Sequence, residues 1–129
     1  MGKTIMTVDD STSVRQMVAF TLKGAGYNVI QAVDGRDAIA KSNGAGVNMV
    51  ITDLNMPNMD GQTLLQHIKS SPLMTDLPVL VISSASNKAV ETQLMAKGAL
   101  AVLNKPVTPA GIAHALASLT EDEEDFGWG

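Results

Sequence analysis

The sequence predicts an α/β fold: a doubly wound sandwich built on a five-stranded parallel sheet. Three observations carry this. Short apolar runs alternate five times with helical patterns. The runs are continuous instead of alternating apolar with polar, as expected when helices cover both faces of a sheet. Carboxylates, hydroxyls and a lysine also fall where the runs stop, the edge at which open α/β sheets bind ligands.

The elements follow in order. TIMTV (4–8) is the first strand and ends at Asp9-Asp10. Ser11 or Ser13 then caps a helix whose apolar residues Val14, Met17, Val18, Leu22 and Ala25 keep helical spacing until Gly24 and Gly26 stop it. YNVIQA (27–32) is the second strand, followed after Asp34-Gly35 by a short helix around Ala38, Ile39 and Ala40. The turn 43–46 leads into VNMVIT (47–52), which stops on Asp53. The next helix carries Leu64, Leu65 and Ile68 and ends before Ser71-Pro72. LPVLVIS (77–83) is the fourth strand, and an Ala-rich helix over 88–97 ends at Gly98. LAVLN (100–104) is the fifth strand, closed by Lys105-Pro106. The last helix has Pro109 in its first turn, where a missing N–H costs nothing, and Ile112, Ala115, Leu116 and Leu119 on one face.

Composition narrows the function. The chain has 129 residues, 45% of them hydrophobic, enough for one domain with a real core. Aromatics are limited to Phe20, Tyr27, Phe126 and Trp128, so the core is built from aliphatic residues and Met. Without cysteine there is no disulfide framework and no thiolate metal site. Neither a membrane span nor a signal peptide is legible, and the chain reads as soluble and cytoplasmic. The net charge of −4 comes from the tail: five of 13 acids lie in EDEEDFGWG, leaving eight acids against nine Lys and Arg. Nothing in that nearly neutral body suggests nucleic acid binding, and no nucleic acid partner is expected. Residues 1–119 form the expected domain and 120–129 an acidic, frayed tail.

The strand ends bring Asp9, Asp10, Asp53, Ser83, Ser84 and Lys105 to one edge. Clustered carboxylates repel and need a cation or a proton. Oxygen ligands without His or Cys suit a hard cation such as Mg²⁺. With a lysine and a hydroxyl beside them, the set resembles a phosphoryl site. Asp53, on the central strand, is the candidate nucleophile, since a carboxylate can form an acyl phosphate. Asp9 and Asp10 are neighbours whose side chains are expected to diverge, one holding the metal directly and the other through water. His67 and His114 read as ordinary surface or boundary residues, and the GxG of KGAGYN as a helix stop.

TVDDS, VITDLNMPNMDG, LPVLVISS and NKP, in that order and spacing, resemble the receiver domain of two-component response regulators, and the resemblance covers residues 3–119. It is nearest to stand-alone, CheY-like chemotaxis receivers. It implies a flavodoxin-like (βα)5 fold with strand order 2-1-3-4-5. It implies that Asp53 takes a phosphoryl group from a sensor histidine kinase. Asp9, Asp10 and Asp53 would hold Mg²⁺ together with the backbone carbonyl of Asn55. Ser83 would bond a phosphoryl oxygen, Lys105 would pair with Asp53 or its phosphate, and the Lys105-Pro106 bond would be cis. The face formed by the last two helices and the fifth strand would then change its preference for an output protein. Val102, Val107 and Ala85 depart from the chemotaxis pattern, which carries aromatic or polar residues there, and leave that partner open. Two other functions fit less well. A constitutive binding module would not need five intact site positions. A Mg²⁺-dependent aspartyl phosphatase has a second carboxylate two residues after the nucleophile, where Asn55 stands here.

Overall fold

The structure, a computed structural model, describes residues 3–42, 46–56, 59–72, 74–84, 88–105 and 107–120, the last four by backbone alone. Pro57, Ala85, Pro106 and the tail from residue 121 lie outside the described residues, as does the expected cis bond at Lys105-Pro106.

Strands and helices alternate without exception: β1 (Thr4–Val8), α1 (Thr12–Gly24), β2 (Asn28–Ala32), α2 (Gly35–Ser42), β3 (Met49–Asp53), α3 (Gly61–Ser70), β4 (Val79–Ser83), α4 (Lys88–Ala96), β5 (Ala101–Asn104) and α5 (Pro109–Thr120). The five strands form one parallel sheet in the order β2-β1-β3-β4-β5. This is the expected flavodoxin-like topology. β3 starts two residues later than the apolar run and takes Asp53 in as its last residue. Burial follows topology. Every residue of β3 and β4 is buried, whereas the edge strands β2 and β5 are only partly so.

Two apolar layers sandwich the sheet. On one side Ile5, Met49, Ile51, Leu80 and Ile82 pack with Val18 and Leu22 of α1 and Ile112 and Leu116 of α5. On the other, Met6, Val8, Val50, Val79 and Val81 meet Ala38, Leu64, Leu65, Ile68 and Leu94 from α2, α3 and α4. Methionine fills this core as expected, with Met6 and Met49 fully buried and Met56, Met59 and Met74 packed at its margin.

Local chemistry bounds α1 and starts α3. Ser11, not Ser13, is the N-cap of α1, and its side chain accepts from the Val14 N–H. Asp60 caps α3 by accepting from the Thr63 N–H at 2.8 Å. α1 closes through Gly26 at φ 98°, a left-handed position that glycine takes without strain.

Candidate functional site

The register explains why residues far apart in sequence meet. β1 pairs with β3 through Val8 and Thr52, so Asp9 leaves β1 beside Asp53. By the two-residue alternation of strands, Asp53 continues the face of Met49 and Ile51. β4 pairs Ser83 with Asn104 of β5, which sets Lys105 immediately beyond, its N–H bonded to the Ser83 carbonyl at 2.9 Å. β1 and β3 also flank the point where strand order reverses, the crevice in which such sheets bind ligands.

Asp9, Asp10 and Asp53 each contribute a carboxylate oxygen to a cluster in which these atoms all lie within 4.8 Å of one another. The expected divergence of Asp9 and Asp10 is therefore corrected. They differ in depth, Asp9 buried and Asp10 exposed, yet both reach the same point, because the chain has left β1 and strand alternation no longer applies. Lys105 Nζ stands 3.1 Å from Asp53 Oδ1, with the Asp53 side chain 3% and the Lys105 side chain 28% exposed. This ion pair compensates the charge of Asp53 Oδ1, which is otherwise buried without a hydrogen bond. Asp9 accepts from the Ser11 N–H at 2.8 Å through Oδ1, while its buried Oδ2 has no partner. Ser83 is fully buried at the same edge. Asn55 lies exposed on the loop after β3, its Nδ2 donating to Ser84 Oγ at 3.5 Å.

The charges do not balance. At an effective dielectric of ~20, two carboxylates at the cluster's spacing repel by about 3 kcal/mol, and the Asp53–Lys105 attraction is about 5 kcal/mol. Three acids and one ammonium leave a formal charge of −2, which one divalent cation cancels. Asp9 registers the deficit. Its carboxyl is pushed above the usual range chiefly by burial and further by Asp53 and Asp10, against the Ser11 N–H and Lys105. The unpartnered buried Oδ2 of Asp9 and an all-oxygen donor set fit a hard cation such as Mg²⁺.

The tight backbone behind Asp53 carries no sequence signal beyond a glycine. Gly61, the first residue of α3, donates its N–H to the Leu54 carbonyl at 2.7 Å. A Cβ there would overlap the Asp53 carbonyl oxygen and approach Leu54 Cα to 2.8 Å. A second contributor is Arg15, whose guanidinium Nη1 donates to the Asp9 carbonyl at 2.8 Å. His67 and His114 are exposed and away from this edge, on α3 and α5.

Fold and site define a class: an α/β protein with an acidic, cation-fitting site and a lysine at the topological switch point of a 2-1-3-4-5 sheet. The chain belongs to the response regulator receiver domain family, which matches residues 5–117. It is similar to the chemotaxis response regulator CheY4 of Vibrio cholerae, with a TM-score of 0.87 and 34% identity over 92% of this chain and 99% of that one. Protein PilG of Pseudomonas aeruginosa is 30% identical over 115 residues, covering 89% of this chain and 85% of PilG. A gliding motility regulatory protein of Myxococcus xanthus is 32% identical over 101 residues, but that match spans only 13% of its length. Receiver domains are phosphoacceptor switches of two-component signalling, not enzymes acting on external substrates, and generally bind Mg²⁺ at an acidic pocket. Among the described residues no helix is long and apolar enough to cross a membrane.

Proposed function

We propose that this chain is a phosphorylation-operated switch in which Asp53 accepts a phosphoryl group from the phosphohistidine of a sensor kinase. The supporting observation is the buried Asp53 carboxylate, paired with Lys105 at 3.1 Å and clustered with Asp9 and Asp10. An Asp53 oxygen attacks phosphorus, the P–N bond to the imidazole breaks, and the ring nitrogen leaves with the electron pair and takes up a proton. Asp9, Asp10, Asp53 and the Asn55 carbonyl are the residues that would hold Mg²⁺, and the bound ion would neutralise phosphoryl oxygens. Lys105 stays beside the new acyl phosphate as a counter-charge, and the Ser83 hydroxyl bonds a phosphoryl oxygen.

The phosphoryl group can shift the domain between two states only by interacting better with one of them. Ser83 and Lys105 supply that difference. Ser83 precedes the connection to α4, and Lys105 directly follows β5. The readout surface is therefore the α4-β5-α5 face, where Met95 is exposed and Val102 partly buried. The output partner is a protein. The likeness to a chemotaxis regulator supports a pathway in chemotaxis or related two-component signalling, with the protein acting in the cytoplasm.

The test is incubation with Mg²⁺ and a small phosphodonor followed by intact-mass measurement. One phosphoryl adduct, absent from Asp53→Asn, is the expected result. Mg²⁺ binding without an adduct would instead make the chain a constitutive binding module. Continuous phosphate release from monoesters would make it a phosphatase.

A further inference from the structure

We propose that Arg15 is a positioning residue for the acidic site, holding the main chain of Asp9 so that its carboxylate stays turned into the cluster with Asp10 and Asp53. The inference rests on the reading of that cluster as a Mg²⁺ site. Asp9 follows β1, outside the strand ladder, and carries a buried charge beside two like charges. Unrestrained, such a carboxylate lowers its energy by rotating its peptide and turning toward water.

Three contacts oppose that rotation. The Asp9 N–H donates to the Ala32 carbonyl at 3.2 Å, and Oδ1 accepts from the Ser11 N–H at 2.8 Å. The third is the charge-assisted bond from Arg15 Nη1 to the Asp9 carbonyl at 2.8 Å. Oδ2 is left without a partner and available to a ligand.

Arg15 is itself held in place. Its backbone is fixed in the first turn of α1, where its N–H donates to the Ser11 carbonyl at 2.9 Å. Its Nε donates to Gln31 Oε1 on β2 at 3.3 Å. The Gln31 carbonyl in turn accepts from Lys41 Nζ at 2.8 Å, and Lys41 pairs with Asp37 at 3.1 Å. The guanidinium fork thus ties the end of β1 to the neighbouring strand and, through it, to α2. A lysine, with one compact head, would not serve both acceptors. Because Arg15 meets the carbonyl and not the carboxylate, it orients the ligand and leaves the ligand's lone pairs free. Outer-shell partners of this kind are worth about 10–100-fold in metal affinity.

The experiment is calorimetric titration of the full chain with MgCl₂, alongside urea unfolding in EDTA. Arg15→Met keeps the packing of the stem and removes the donors, and its Mg²⁺ dissociation constant is expected to rise about 10-fold. Arg15→Lys should recover part of the loss, and Arg36→Met, at an exposed arginine of α2, should match wild type. If Arg15→Met does not fold, Gln31→Ala carries the test: it leaves the guanidinium in place but frees its Nε, and a smaller rise is expected. A folded Arg15→Met with lowered stability in EDTA but an unchanged dissociation constant would show a merely structural arginine and overturn the inference. Absence of Mg²⁺ binding in wild type would overturn the metal reading itself.

Discussion

Replacing Gly61 by alanine tests whether Asp53, the proposed phosphoacceptor, is set by backbone packing. Gly61 is buried at the first position of α3 and its φ is not in the left-handed region, so alanine meets no conformational penalty. The obstacle is space. The new methyl would overlap the Asp53 carbonyl oxygen, with Leu54 Cα at 2.8 Å and the Asp53 carbonyl carbon at 3.1 Å. All three are main-chain atoms, which cannot move aside as the end of a flexible side chain can. Overpacking of this kind costs about 1–3 kcal/mol. The helix-propensity gain of alanine over glycine returns about 1 kcal/mol at most, and less at a helix terminus. A net loss of about 1–2 kcal/mol would lower the thermal midpoint by about 3–10 °C for a chain of this size. Relief by moving α3 away would also displace the carbonyl of Asp53, the proposed nucleophile, and an error near 1 Å costs about 100-fold in rate. Gly61→Ala should therefore unfold earlier in urea and take up phosphate from a small donor more slowly. Gly24→Ala is the control: no atom lies within 4 Å of its added Cβ, and stability should be unchanged or slightly higher. Wild-type stability and phosphorylation rate in Gly61→Ala would refute the packing account.

Three further outcomes follow from the same site. The Asp9 carboxyl is held above its unfolded value of 3.8, mainly by burial, so the folded state binds the proton more tightly than the unfolded chain. Stability in EDTA should thus fall as pH rises through the window above about 4, and Asp9→Asn should flatten that decline in pH-dependent urea midpoints. Lys105→Met strands the Asp53 charge and should destabilise the Mg²⁺-free protein. Adding Asp53→Asn should recover much of that loss, giving a coupling of about 1–3 kcal/mol in a double-mutant cycle. Asp60→Ala removes the α3 cap and should cost about 1 kcal/mol by urea unfolding.

The order of elements was legible because each local signal agreed with the next. Continuous apolar runs marked buried strands, and glycines and prolines marked the ends of helices. The exact start of β3 was not legible: Val47 and Asn48 look as strand-like as Val50, and only pairing with β1 and β4 decides where the ladder begins. The two aspartates after β1 were expected to diverge by strand alternation, but the ladder has ended there and their oxygens converge instead.

By itself, the sequence determined the chemistry. It specified which residue types stop at each strand end, hence an oxygen-rich site with one lysine, and a neutral body behind an acidic tail. Tertiary structure alone decided the geometry: the 3.1 Å approach of Lys105 to Asp53, the stranded oxygen of Asp9, the grip of Arg15 and the space denied at Gly61. The reason is physical. Residue type and order are local properties, whereas a carboxylate's partners depend on register between strands and on contacts spanning tens of residues. No periodicity along one segment records either.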